Sequence, residues 1–326
     1  MGLSKDTVTY YDRCMDQVFI DKICTDYPWL IDYVKSKAEL DFQTGHDPRS
    51  GKSWFSIYRG TGRVLTFESN SRTIKAADAY RNLMPSSFIT KPNAKDFDKY
   101  LKSISESTNL DQYYESSDSK KEGFYQNLIA RRYTFLNNEN DDFIIIDKEF
   151  VLGFYSEVVK NEWCSGIVDE QEQQISQLKK VLPTYPKDIK AQYGEFDFLA
   201  LTWEGDIVIM ELKQDDPQKT YLSPVQVGYY YKQFSKLIKE DDGTLYQNII
   251  KMVNQKVQLG LIKIPNGLTL PLQLSKKIKA CVIVGEDNLS DEIRKRYKLT
   301  RDIFLPDMQA YTCNLDGTMI PSKLEL

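Results

Sequence analysis

The chain has 326 residues, 41% hydrophobic and 28% charged, with 47 acidic against 43 basic side chains and a formal net charge of -4. That size and composition suit two globular domains, or one enlarged by insertions, and exclude disordered and fibrous classes. The slight acidic excess excludes a protein that coats nucleic acid non-specifically, while leaving room for basic groups confined to one groove.

No run approaches the roughly 18 uninterrupted apolar residues of a membrane span. The opening MGLSKDTVTYYDRC lacks the apolar centre of a secretory signal, so a cytoplasmic protein without membrane contact is expected. Cys14, Cys24, Cys164, Cys281 and Cys313 are odd in number, scattered and free of C-x-x-C spacing, which predicts reduced thiols rather than disulfides or a zinc ribbon. The single histidine, His46, lies in the turn-like run TGHDPRSGKS and reads as a loop residue. Hydrolysis by this chain would therefore rely on carboxylates, lysine and water, a set suited to Mg2+ or Mn2+.

In chain order, residues 1–115 alternate helical and strand patterns and form an N-terminal α+β region of unassigned role. MDQVFIDKICTDYPWLIDYVKSKAEL has a helical period, and SWFSIYRGTGRVLTFES reads as two short strands about Gly60 and Gly62. The run GHDPRSGKS ends like a phosphate-binding loop. It has five residues between its glycines where that motif needs four, and the preceding AELDFQT is a poor strand, so a loop entering a strand at Trp54 is expected. The polar stretch 103–121 reads as a surface connection, placing a second domain at 116–326.

That domain opens on a helix, KKEGFYQNLIARRYTFLNN, followed by an apolar strand or strand pair, FIIIDKEFVLGFY. Residues 168–182 form a polar helix with acids early and lysines late, ending before Pro183. In YGEFDFLALTWEGDIVIMELKQDD, GEFDFLALT alternates, Glu204 and Gly205 make a tight turn, and DIVIMELK is nearly all apolar. This is a hairpin feeding a central strand buried on both faces. SPVQVGYYYKQFSKLIKE and GTLYQNIIKMVNQKVQLG read as helices and IKACVIVGED as another buried strand, so an α/β domain with a mixed central sheet flanked by helices is expected.

Residues two apart on a strand share a face, so Glu195 and Asp197 face one way on the first hairpin strand, and Glu211 and Lys213 on the second. Carboxylates converging at the end of a sheet repel one another unless a cation sits among them, and a lysine buried beside them needs chemical work to do. A strand emerging into solvent also yields E-x-K, so the weight rests on the acid pair, the turn and the apolar strand together.

G-E-F-D followed by I-M-E-L-K resembles the core of the PD-(D/E)xK nuclease superfamily, with the restriction-endonuclease-like fold. The resemblance implies that Asp197 and Glu211 ligate Mg2+ or Mn2+ and that Lys213 serves the attacking water, with Glu195 as a further acid. Gln226 and Tyr230 resemble the Q-x-x-x-Y motif on the next helix of the exonuclease-like branch; Tyr230 reads equally as a core residue. Glu122, with Gln126, resembles the glutamate on the helix that opens the family core, and so becomes another metal-site carboxylate; a solvated helix-start glutamate is the bland alternative. Glu149 and Glu157 are weaker substitutes. The family's proline before the aspartate is Phe196 here, and the resemblance is specific only over 193–230.

The function this resemblance implies is that of a metal-dependent nuclease acting on DNA ahead of RNA. Arg131, Arg132, Lys219 and Lys232 are candidate phosphate contacts, and the N-terminal region is a surface for a homodimer or protein partner. Two other classes stay open: an inactive nuclease-fold binding module, and an interaction protein in which the motif is coincidental.

Overall fold

The computed structural model describes residues 9–70, 74–107, 114, 120–182, 189–214, 216–286 and 288–325. The chain divides into two compact units. Asp12–Glu139 and Gln247–Asn266 belong to the first; Asn140–Tyr246 and Gly267–Leu326, with Thr9, Tyr10 and Tyr11, belong to the second. Among the described residues no helix is long and apolar enough to cross a membrane.

The chain opens on a two-residue strand of the second unit, β1 (Thr9–Tyr10), and then enters the first unit through α1 (Gln17–Asp26) and α2 (Pro28–Ser36). The single helical period of the sequence is split at Pro28: it cannot continue a helix, but its fixed φ suits the first turn of a new one. Asp16 caps α1 by accepting from the Val18 N–H. An antiparallel sheet comes next, β2 (Asp41–Asp47), β3 (Lys52–Arg59), β4 (Gly62–Glu68) and β5 (Lys75–Ala76), in that spatial order. Phe55, Ile57 and Leu65 from this sheet share one core with Leu30, Val34 and Phe97 from helices. The unit continues through α3 (Ser86–Thr90), α4 (Ala94–Ser107) and α5 (Glu122–Arg132).

Two expectations need correction in this unit, and a third holds. AELDFQT contributes its second half to β2, where pairing with β3 buries Asp41, Gln43 and Thr44 despite their polarity. His46 is on that strand and not in a loop, its Nδ1 3.1 Å from Ser53 Oγ. The phosphate-loop look-alike is the β2–β3 turn: Gly51 N–H donates to the Asp47 carbonyl at 2.8 Å, and the Asp47 carboxylate accepts from Arg49 N at 3.0 Å and Ser50 Oγ at 2.7 Å. Of the expected surface connection, 103–107 complete α4, while 108–113 and 115–119 lie outside the described residues.

The position 115/116 falls inside the first unit, because α5 is tied there. The buried Arg131 guanidinium donates to the carbonyls of Val34 (3.2 Å), Leu40 (2.9 Å) and Lys35 (2.8 Å), and Asn127 donates to that of Ala38.

The second unit is mixed α/β. It runs β6 (Phe143–Phe150), β7 (Gly153–Phe154), α6 (Glu157–Val181), β8 (Phe196–Thr202), β9 (Ile207–Lys213) and α7 (Pro217–Glu240). Then come α8 (Thr244–Gln258), most of which belongs to the first unit, β10 (Ile278–Val284), α9 (Asp291–Phe304), β11 (Gln309–Cys313) and β12 (Met319–Pro321). β7 pairs with β1. The other six strands form one sheet in the order β12-β11-β10-β9-β8-β6, with β9, β10 and β11 parallel and the remaining neighbours antiparallel. α7 packs on β9 and β10 and is flanked by α6 and α9. Val225 and Val227 of α7 share a core with Val282 and Val284 of β10 and with Tyr297 and Phe304 of α9. The polar helix expected over 168–182 begins eleven residues earlier, where Ser156 caps it by accepting from Val159 N at 3.2 Å.

Candidate active site

The hairpin β8–β9 carries the site, and its geometry starts at the turn. Gly205 has φ 92°, a left-handed conformation open to glycine at little cost, and its N–H donates to the Thr202 carbonyl at 3.1 Å. The antiparallel register pairs Phe198 with Met210 and Leu199 with Ile209. One step further along the same ladder sets Asp197 beside Glu211. Asp197 Oδ2 accepts from the Leu212 N–H at 2.6 Å, which turns this carboxylate toward the end of β9.

Glu211 and Lys213 share a face of β9, the strand between β8 and β10, and form an ion pair with each other. Their side chains are only 3% and 9% exposed. Withdrawing two charges from water costs several kcal/mol per ion, of the order that their mutual attraction repays only with good geometry. Apolar side chains would fill this strand at no such cost.

On α7, Gln226 and Tyr230 lie four residues apart and so on one helix face. Gln226 Nε2 donates to the Tyr230 hydroxyl at 3.2 Å, and that hydroxyl donates to the backbone carbonyl of Glu195. The helix is thereby fastened to the entry of β8. Burial pushes the Tyr230 phenol well above its ordinary range; the Glu211 carboxylate adds to this, the bond from Gln226 opposes it, and Asp197 and Tyr193 raise it further. Tyr193 is pushed up to about 12 by burial, with Lys213 drawing it down and Glu211 raising it. Asp197, Glu211, Lys213, Tyr230 and Tyr193 therefore sit within electrostatic reach of one another. Tyr193, two residues before Glu195, escaped the sequence reading because an isolated tyrosine in a loop carries no periodic signal.

Other expected members are placed differently. Glu195 precedes β8 and is exposed, and its carbonyl accepts from the Tyr230 hydroxyl. Glu122 opens α5 in the first unit, whereas Asp197 and Glu211 belong to the second. Glu149 stands on β6 with φ 47°, and Glu157 pairs with Lys160 at 3.5 Å. Among the described residues no group of three or more His, Cys, Asp or Glu is placed to hold a metal ion, so the expected set of four carboxylates is not gathered.

Two of the phosphate candidates also have structural partners. Arg131 is committed to the three carbonyls above, and Lys232 bridges to Glu170 at 3.0 Å and to Gln171 at 3.3 Å on α6. Arg132 lies over the Tyr133 ring, and Lys219 is exposed, 3.6 Å from Asp216.

The donor chemistry of the cluster fits a hard divalent cation. Asp197 and Glu211 offer oxygen only, and Mg2+ is commonly held by one or two carboxylates, with water and substrate phosphates completing its shell. The chain matches no known family model, no curated protein and no solved structure.

Proposed function

We propose that the second unit is a divalent-metal-dependent nuclease that hydrolyses phosphodiester bonds, DNA ahead of RNA. The observation that carries this reading is the buried Glu211–Lys213 pair on the central strand, with Asp197 of the neighbouring strand bonded to the Leu212 N–H between them. Buried charges of opposite sign at the end of a sheet are expensive as scaffolding and useful as chemistry.

Mg2+ or Mn2+ held by Asp197 and Glu211 would polarise a phosphoryl oxygen and make a bound water more acidic. The protein's own groups have separable tasks. Leu212 N–H fixes the Asp197 carboxylate, and Glu211 holds the Lys213 ammonium in place. Lys213 donates to the attacking water or to the charge developing on phosphorus-bound oxygens. Tyr230, kept protonated by its surroundings, fastens α7 to β8 and so keeps the strand end rigid.

A second reading, a nuclease fold that binds nucleic acid without cutting it, is favoured by one feature: among the described residues no third carboxylate joins Asp197 and Glu211, and Glu211 is already balanced by Lys213. The two readings separate on incubating plasmid, linear duplex, single-stranded DNA and RNA with Mg2+ or Mn2+, comparing the native protein with Asp197→Asn and Lys213→Ala. Metal-dependent cutting that disappears in both folded variants supports the nuclease. Binding of the same substrates with no cutting in any metal supports the binding module, and neither binding nor cutting refutes both.

A further inference from the structure

At the opposite end of the same sheet lies a groove of about 610 Å³, lined by Tyr231, Ser235 and Lys239 of α7 and by Lys276, Lys277 and Lys279 at the start of β10. Four ammonium groups in one groove are unusual in a chain whose net charge is -4. Lys279 is balanced by Asp206 at 2.8 Å. Among the described residues Lys239, Lys276 and Lys277 carry no ion pair, and all three are exposed. The carboxylate next to Lys239, Glu240, is taken by the Trp163 indole N–H at 2.8 Å and by Lys236 at 4.0 Å.

The lysine segment is held, not loose. Ser275 N–H donates to the Gly205 carbonyl at 3.0 Å, Ile207 N–H donates to the Lys277 carbonyl at 3.2 Å, and the Ser275 hydroxyl donates to Asp206. Lys276 adopts φ 64°, a left-handed conformation that L side chains other than Asn and Asp seldom take. Strain of this kind persists where the surrounding structure over-determines it, and it clusters at ligand-binding positions. Its effect is to present adjacent lysines from a fixed backbone.

We infer that this groove is a second phosphate-binding surface, which takes the backbone of a nucleic acid away from the cutting end of the sheet. The inference rests on the nucleic-acid reading proposed above and extends it to where the substrate is held. Lysines act as point charges toward phosphates, and their mutual repulsion, which Asp206 offsets at Lys279 and in part at Lys277, is further relieved by a polyanion, with release of its counterions. The Tyr231 ring and the Ser235 hydroxyl add an aromatic face and a hydrogen-bonding group suited to a nucleotide. A concave groove favours a chain-like polyanion over a flat anionic bilayer, although the exposed Leu272 nearby in the chain makes a bilayer the competing occupant.

The parallel register sets the reach. Ile278 lies beside Ile207 and Val284 beside Lys213, so the two ends of the sheet are six residues apart, about 20 Å along the strands. A duplex must therefore be at least about six base pairs long to touch both.

The test is fluorescence anisotropy of the full chain with labelled 30-base-pair duplex and 30-nucleotide single-stranded DNA, in EDTA and across a salt series. Lys276→Glu/Lys277→Glu is compared with native protein, and Lys239→Glu on α7 is an independent variant in case the loop pair perturbs folding. The expected result is affinity about tenfold weaker in the double variant, with the slope of log K against log salt shallower by about 2. Unchanged affinity and slope in both variants would overturn the inference. So would variants that lose binding to phosphatidylserine vesicles while binding DNA as before. Groove-dependent binding without cleavage in Mg2+ or Mn2+ would leave the groove standing and sink the nuclease reading; metal-dependent cleavage that ignores the lysines would do the reverse.

Discussion

Lys213→Met tests whether the charges on β9 are a balanced buried pair. The substitution keeps the length and apolar stem of the side chain but leaves the Glu211 carboxylate, 3% exposed, without its ion-pair partner. Removing one member of a buried pair costs about 3–5 kcal/mol, whereas replacing both by apolar or neutral groups of similar volume is often close to neutral. Lys213→Met alone should therefore lose about 3 kcal/mol, and Glu211→Gln/Lys213→Met should recover most of it, a coupling of about 2 kcal/mol or more in a double-mutant cycle. Urea unfolding can be followed by Trp163 and Trp203, both in the second unit, in a background with Trp29 and Trp54 changed to Phe. Mg2+ adds a second arm. If Asp197 and Glu211 bind it, a concentration a hundred times its Kd stabilises Lys213→Met by about 2.7 kcal/mol and leaves a variant also lacking Asp197 unmoved. A single-variant cost below about 1 kcal/mol, or losses that simply add in the double variant, would refute the buried-pair argument.

Arg131→Ala should destabilise the first unit by about 3 kcal/mol, since one charged donor group serves three carbonyls. Arg131→Lys should recover only part, as an ammonium cannot reproduce the planar fork; unfolding followed by Trp29 and Trp54 measures both. Tyr193 governs an alkaline transition. Its folded-state phenol, at about 12, lies above the ordinary 10.0, so the folded protein holds this proton more tightly than the unfolded chain. The stability it contributes is complete below pH 10 and is lost as the pH rises to about 12, and Tyr193→Phe should flatten that decline in a series of thermal melts. Gly205→Ala would place a Cβ against the Gln273 carbonyl at a left-handed φ and should cost about 2 kcal/mol, read as a lower midpoint of thermal unfolding.

The hairpin of the second unit was legible because its signals are local. DIVIMELK is apolar enough to be a central strand, and all seven residues of β9 are buried. Glu204 and Gly205 punctuate it where the structure turns. The Q-x-x-x-Y spacing likewise anticipated that Gln226 and Tyr230 share a face, though not that Gln226 spends its amide on Tyr230. What escaped depends on long-range partners. β2 looks too polar for a strand until β3 pairs with it, and Arg131 looks like a surface charge until the carbonyls of Val34 and Lys35 at the end of α2, and of Leu40 beyond it, surround it. The elements α9, β11 and β12 were not anticipated, although Ser290 before D-E-I-R-K-R-Y is a plain helix start. The lysines of S-K-K-I-K-A were visible as residues. Their meeting with Lys239 requires α7 to run back along the sheet, and no spacing in the sequence reports that.

Both ends of the second unit's sheet depend on the same hairpin. At its open end the β8–β9 ladder sets Asp197 beside Glu211; at its turn the backbone of Gly205 and Ile207 holds Ser275 and Lys277. A change that alters the turn should therefore weaken DNA binding through the lysines before it disturbs the acid pair, because three buried residues of β9, Val208, Ile209 and Met210, separate Ile207 from Glu211. Interiors packed this closely do not deform continuously, so loss at the turn need not travel to the far end until the strand itself unpairs. Gly205→Ala at temperatures below its melting transition thus separates holding from cutting. The salt slope of DNA binding should fall while cleavage of duplexes shorter than about six base pairs, which reach only the acidic end, keeps its native rate.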